Sequence, residues 1–209
     1  MQNFSSFIGF IFLYLITGLL PVSANEYRIL ILGDSLSAAY NIALDKSWPI
    51  LFADKVRANF YQASFINASI SGETSFGGSA RINKLLEQHQ PTHLIIELGG
   101  NDGLRGLDFT QTTNNLLAIG QSAKERMISI LLIGVRMPPN LGVAYNAAFQ
   151  SIFETVRQQL GAVYLANFLE GIAASDPALM QADGIHPTAL AQPALAEKVY
   201  QAIKPMLQN

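Results

Sequence analysis

"YRILILGDSLSAAYN", Tyr27 to Asn41, decides how the chain folds. Ile29-Leu30-Ile31-Leu32 is a continuous apolar run without polar alternation, the pattern of a strand covered on both faces. It passes straight into Gly33-Asp34-Ser35-Leu36-Ser37. A buried strand that ends in a glycine, a carboxylate and two hydroxyls delivers polar groups to one rim of a sheet. Further runs of the same kind follow at Ser64–Ala68, His93–Leu98, Ile128–Val135 and Ala162–Ala166. Helical patterns lie between and after them. Trp48, Leu51, Phe52, Val56 and Phe60 recur at helical spacing, with Ser47 as the candidate N-cap. Shorter stripes sit at Ile82, Leu85 and Leu86 and within Phe109–Lys124. Tyr145 to Leu160 gives the cleanest stripe and Leu195 to Met206 the last, with Pro193 placed where that helix must begin or kink. Strands alternating with helices predict right-handed crossovers and a three-layer α/β/α sandwich around a five-stranded parallel sheet.

The chain has 209 residues, a net charge of −2 and only 13% charged residues. That length suits one domain. No basic field is available for nucleic acid or an anionic membrane surface. There is no cysteine, which excludes disulfides, a thiol nucleophile and thiolate metal sites. Phe7 to Leu20 is apolar except for Gly9, Thr17 and Gly18, and is followed by Pro21 and the small residues of Val22-Ser23-Ala24. It is short for a span, and residues 1–24 are read as a cleaved secretory signal preceding a domain at 25–209. An uncleaved anchor is the alternative, favoured by the lack of Lys or Arg in Met1 to Phe7. Both place the domain outside the cytoplasm, periplasmic or secreted, with no stable membrane span once the signal is removed.

Ligands of open α/β sheets bind outside the carboxyl ends of the strands. Those ends carry Gly33-Asp34-Ser35, then Ser69-Ile70-Ser71-Gly72, then Gly99-Gly100-Asn101-Asp102, then Arg136-Met137-Pro138-Pro139. Asp183-Gly184-Ile185-His186 precedes the last helix. Ser35 is the candidate nucleophile, at a point where the strand turns into a helix, and Gly33 is read as permitting a tight turn. His186 is the candidate base. Asp183, three residues before it, is placed to hold the imidazole tautomer. His89 and His93 flank Pro91 at the opposite strand end and read as surface or strand-edge residues. Each turn alone has a plainer reading as a helix cap or a turn; together they point to acyl transfer. Asp34 reads as a turn-holding side chain and Asp102 as a tie within its loop. Glu97, inside an apolar strand, demands buried partners that the sequence does not identify.

In these blocks the sequence resembles the SGNH, or GDSL, hydrolase family. Their order covers essentially the whole mature chain. "NASISGET", "HQPTHLIIELGGNDGLRG", "PPNLGVAYNAAF" and "DGIHPTALAQP" resemble the thioesterase I, protease I and lysophospholipase subgroup, which includes arylesterases. The resemblance implies a flavodoxin-like fold and a Ser35-His186-Asp183 triad. It assigns the oxyanion hole to the backbone N–H groups of Ser35 and Gly72 and the Asn101 amide. It further implies hydrolysis of acyl esters and thioesters through a Ser35 acyl-enzyme, without metal or cofactor, by a monomer acting on a small-molecule substrate. Leu36, Phe76, Leu104, Leu107, Met137, Leu141 and Ile185 are candidates for an acyl groove, and Arg105 and Arg136 read as solvated arginines. A carbohydrate O-acetyl esterase and a non-catalytic binding module are the alternatives.

Overall fold

The computed structural model describes residues 27–60, 62–172 and 176–207, so the expected signal at 1–24 lies outside the described residues. Five strands form one parallel sheet: β1 (Arg28–Gly33), β2 (Ser64–Asn67), β3 (His93–Glu97), β4 (Ser129–Ile133) and β5 (Val163–Leu165). The helices are α1 (Trp48–Asn59), α2 (Ser75–His89), α3 (Gly100–Leu104), α4 (Phe109–Lys124), α5 (Val143–Leu160) and α6 (Gln192–Ile203). α1 packs against α6, while α4 packs between α2 and α5. The fold is therefore the expected three-layer sandwich. Its strand order is β2-β1-β3-β4-β5, which reverses direction between β1 and β3. That switch point is where a ligand crevice opens, because the connections from β1 and β3 diverge to opposite sides.

The core explains why the strands lack alternation. Ile29 to Leu32, Leu94 to Ile96 and Leu131 to Ile133 are all buried, one face under each helical layer. Trp48, Phe52, Phe149, Phe153 and Phe168 fill the layers above and below. Each such side chain stabilises the fold by about 1.5–3 kcal/mol relative to exposure. Pro193 causes no kink: it sits in the first turn of α6, where its missing N–H has no intrahelical partner to lose. Ser47 occupies the N-cap of α1, but its hydroxyl donates to the Leu44 carbonyl at 2.6 Å instead of capping.

Four local readings are corrected. Ser35 does not lead into a helix. Residues 35–41 form a run of turns that begins with Ala38 N–H donating to the Asp34 carbonyl at 2.9 Å and is broken by left-handed Ala39 (φ 59°). Gly33 is needed for space rather than for turning. A Cβ there would lie 2.7 Å from Ser37 Oγ and 2.9 Å from Glu97 Oε2. His89 belongs to the last turn of α2, not to a loop. His93 is buried, with its ring nitrogens against Thr92 Oγ1 (2.9 Å) and the Met206 carbonyl (3.3 Å), because α6 and its extension cover that end of β3. Burial lowers its pKa, chiefly by desolvation.

Candidate active site

Ser35 and His186 are 151 positions apart, yet Ser35 Oγ lies 2.8 Å from His186 Nε2. His186 Nδ1 lies 2.7 Å from Asp183 Oδ2. The Asp183 side chain also accepts, through Oδ1, the backbone N–H groups of Ile185 (2.9 Å) and His186 (3.0 Å). That turn explains the three-residue spacing: one carboxylate oxygen folds the backbone while the other faces the ring. Partial burial pushes the Asp183 carboxyl up, but the hydrogen bonds from His186 and Ile185 outweigh it and hold the group at about 2. Asp183 is therefore ionised at any working pH and fixes the Nδ1–H tautomer, leaving Nε2 free to accept from Ser35.

Beneath Ser35 runs a buried polar chain. Asp34 Oδ1 accepts the Leu36 N–H (3.0 Å), and Oδ2 accepts from the Asn101 amide (2.9 Å). Glu97 Oε2 accepts from Ser37 Oγ (2.7 Å) and from the Asp34 N–H (3.3 Å). Both carboxyl groups are almost fully buried. Desolvation raises Asp34 to about 6, against the hydrogen bonds of Leu36 and Asn101. Desolvation and then the Asp34 charge raise Glu97 well above the ordinary carboxylate range. Two adjacent buried carboxyl groups resist ionising together, so burial and mutual repulsion favour one proton held within the Asp34–Glu97 pair. This supplies the partner that Glu97 lacked in the sequence. Asp34 holds its turn as expected, and it also orients Asn101.

Three elements converge on one cavity of about 700 Å³. Its walls include Ser35, Gly72, Asn101 and His186. Gly72 has φ +79°, a left-handed conformation that favours glycine. Asn101 lies in α3, a five-residue helix where the sequence reads as a turn. Its amide has two hydrogens. One is taken by Asp34, and the other remains for an oxygen in the cavity. Asp102 ties α2 to α3 and α4, accepting from the Ser75 N–H (2.9 Å), Ser75 Oγ (2.5 Å) and Thr112 Oγ1 (3.3 Å). Arg105 is not a merely solvated arginine. Its guanidinium donates to the Gly72 carbonyl at 2.8 Å and lies 3.5 Å from Asn101 Oδ1, so it fastens the two loops that carry Gly72 and Asn101.

Of the apolar candidates, Leu36, Leu104, Met137 and Ile185 line the cavity. Phe76, Leu107 and Leu141 do not. Phe76 stands 71% exposed in the first turn of α2. Leu107 lies just beyond α3 and Leu141 in a short 3-10 turn before α5, and both are exposed. Tyr40, Val135, Pro138, Leu169 and Met180 complete the apolar walls, and Arg136 lies at the cavity while remaining exposed. Nothing in the local sequence marks Leu169 or Met180, which arrive through the approach to α6. Trp48, legible in the sequence only as a core residue, is also a support. Its ring N–H donates to the Leu36 carbonyl at 3.0 Å and pins the nucleophile loop to α1.

The sequence model of the GDSL-like Lipase/Acylhydrolase family matches residues 31–192, from inside β1 to the start of α6. The chain belongs to this family. It is 41% identical over 189 residues to Esterase TesA of Pseudomonas aeruginosa, covering 90% of this chain and 94% of that protein. It is 40% identical over 213 residues to Thioesterase 1/protease 1/lysophospholipase L1 of Escherichia coli, covering all of this chain and 99% of that protein. A crystal structure of TesA superimposes with a TM-score of 0.83 at 41% identity, covering 86% of this chain and 99% of that one. The chain is thus a GDSL-family hydrolase with the sheet and helical layers of TesA.

Proposed function

We propose that this GDSL-family hydrolase cleaves acyl esters and thioesters through a covalent Ser35 intermediate. The observation that carries the mechanism is the 2.8 Å approach of Ser35 Oγ to His186 Nε2, with Asp183 behind the imidazole. His186 takes the Ser35 proton as Oγ attacks the acyl carbon. The proton then passes to the departing alcohol, or, where the leaving group departs as a thiolate or phenolate, the imidazole gives it up to solvent before the second step. Water enters, gives a proton to His186 and attacks the acyl-enzyme, which releases the acid and returns the proton to Ser35. The negative oxygen of each tetrahedral intermediate is held by the N–H groups of Ser35 and Gly72 and by the free hydrogen of the Asn101 amide.

The large and mainly apolar cavity supports fatty-acyl substrates, among them aryl esters, acyl thioesters and lysophospholipids, over acetylated sugars. All groups of the site come from a single chain, which supports action as a monomer. Among the described residues no helix is long and apolar enough to cross a membrane. Together with the apolar segment and small residues of 1–24, this supports an exported domain at 25–209, working in the periplasm or outside the cell.

The test is hydrolysis of p-nitrophenyl esters and acyl-CoA thioesters of graded chain length, with Ser35→Ala in parallel. Turnover by wild type on medium and long chains, lost in the variant, is the expected result. Equal turnover by Ser35→Ala would remove Ser35 from the chemistry. Turnover confined to acetyl esters would replace the fatty-acyl reading with a deacetylase.

A further inference from the structure

Ser35 and His186 come from opposite ends of the chain, and the protein needs something to hold their loops in register. Gln181 is the side chain that spans them. Its Nε2 donates to the Tyr40 carbonyl at 3.0 Å, on the nucleophile loop, and to the Pro187 carbonyl at 3.1 Å, beside His186. Its own backbone N–H donates to the His186 carbonyl at 2.7 Å. The histidine loop is braced in the same region by a Met180–Pro187 bridge and by the Thr188 N–H donating to the Leu179 carbonyl at 2.8 Å. Tyr40 closes the arrangement from the other side. Its ring centroid is 4.3 Å from that of His186, with the planes 35° apart.

The backbone around Tyr40 is shaped for this contact. Ala39 (φ 59°) and Asn41 (φ 54°) are both left-handed without being glycine; asparagine tolerates that region, whereas alanine is strained in it, so Tyr40 follows a strained residue. Such conformations persist only where the surroundings over-determine them, and they cluster at functional sites. Here the Gln181 contact holds the Tyr40 carbonyl while the ring lies against the imidazole.

We propose that Gln181 and Tyr40 are positioning residues that clamp the His186 imidazole against Ser35, Gln181 by joining the two loops and Tyr40 by packing its ring on the base. This rests on the reading of Ser35 and His186 as nucleophile and base. It follows that the clamp acts on the proton transfers; Tyr40 also walls the cavity, so in its variants kcat and labelling rate, not KM, report the clamp. Removing the ring lets the imidazole swing away from Ser35. Removing the Gln181 amide lets the loops drift apart.

The experiment compares Gln181→Met, Gln181→Glu, Tyr40→Phe and Tyr40→Leu with wild type and Ser35→Ala, on one p-nitrophenyl ester. It reads kcat and KM separately, together with the rate of covalent labelling by a fluorophosphonate and the thermal midpoint. Both Gln181 variants and Tyr40→Leu are expected to lose about 10- to 100-fold in kcat and in labelling rate, with the KM of the Gln181 variants within about 3-fold of wild type, as sub-ångström to ångström misplacement of a base does. Tyr40→Phe keeps the ring against the imidazole and is expected to lose about 10-fold less kcat than Tyr40→Leu. The double variant Gln181→Met/Tyr40→Leu should lose less than the product of the single losses, because both act on one imidazole. Tyr40 is 41% exposed, so its variants keep the test readable if a Gln181 variant unfolds. The clamp is overturned if Tyr40→Leu matches Tyr40→Phe, or if the folded Gln181 variants retain wild-type kcat. Inactivity of Ser35→Ala alongside such retention would leave the serine mechanism standing and remove only the clamp. Full activity of Ser35→Ala would remove the mechanism itself.

Discussion

Replacing Glu97 separates what its shape does from what its charge does. Glu97 is fully buried, accepts from Ser37 Oγ at 2.7 Å and from the Asp34 N–H at 3.3 Å, and is pushed toward its neutral form by burial and the Asp34 charge. Glu97→Gln preserves what the neutral carboxyl group offers, an oxygen that accepts and a hydrogen that donates. Glu97→Leu preserves neither. It leaves the buried Asp34 N–H and Ser37 hydroxyl without their acceptor, at about 1–3 kcal/mol for each. The hydroxyl can rotate, so the net loss for Glu97→Leu is expected at about 2–4 kcal/mol. For a domain of this size that lowers the melting temperature by about 4–16 °C. The Glu97→Gln variant is expected near wild type at pH 5, and above that the two diverge. The unfolded Glu97 gives up its proton near the ordinary 4.5, while the folded group keeps it to well above that value, held neutral by burial and the Asp34 charge. In this window the fold binds more protons than the unfolded chain, so wild type loses stability relative to the glutamine variant as the pH rises. Urea midpoints of the three proteins at pH 5, 6 and 7 measure both effects. The reasoning fails if the glutamine variant is as damaged as the leucine variant, or if wild type gains on the glutamine variant as the pH rises.

Asn101→Ala removes a proposed oxyanion donor and strips Asp34 of a hydrogen bond; kcat should fall about 10²- to 10³-fold with KM little changed, and steady-state kinetics that show less than a 10-fold fall would exclude the role. Asp183→Asn keeps the size of the side chain but loses the ionised partner of His186, so kcat should fall by up to about 10⁴-fold across the whole pH range, and a pH–rate profile in which the loss vanishes at high pH would contradict an Asp183 ionised from about pH 2 upward. Gly120→Ala would set a Cβ 2.1 Å from Leu160 Cδ1 between α4 and α5, far in sequence from the site. It should cost about 1–3 kcal/mol in urea unfolding while the folded fraction keeps wild-type kcat.

The sheet is legible in the sequence because its strands are buried on both faces. Ile29-Leu30-Ile31-Leu32 and Leu94-Ile95-Ile96 carry no polar alternation, and only a parallel strand between two helical layers tolerates that. The rim is legible for a related reason. The glycines and short polar residues that follow such runs lie where the chain leaves the core, which assigns Ser35, Gly72 and Asn101 to one rim, whereas Glu97 inside β3 stays buried among polar partners. Boundaries are less legible. α3 is five residues with glycines at its first and fourth positions, and glycine there reads as a turn because its helix propensity is low. The turn after Ser35 reads as a helix because Leu36 to Tyr40 contain nothing that forbids one. Ala39 enters the left-handed region only because the Tyr40 ring and carbonyl are engaged from outside.

That last case shows where the legible part stops. A triad can be recognised from residue types and spacing because Asp183 and His186 lie three positions apart and the turn between them is local. The parts that set the triad are not local. Gln181 reaches Tyr40 across 141 positions, the Trp48 ring N–H meets the Leu36 carbonyl across 12, and Arg105 meets Gly72 across 33. Each is an ordinary polar or aromatic residue whose own chemistry names no partner. What distinguishes them is the backbone carbonyl or side-chain acceptor that each one satisfies in another loop, and that acceptor exists only after the sheet has brought the loops together. The proposed reacting groups are therefore marked by short motifs, whereas their alignment is a property of the tertiary fold. Substitutions at Gln181, Tyr40 or Arg105 should accordingly change how well the site works without changing what it does.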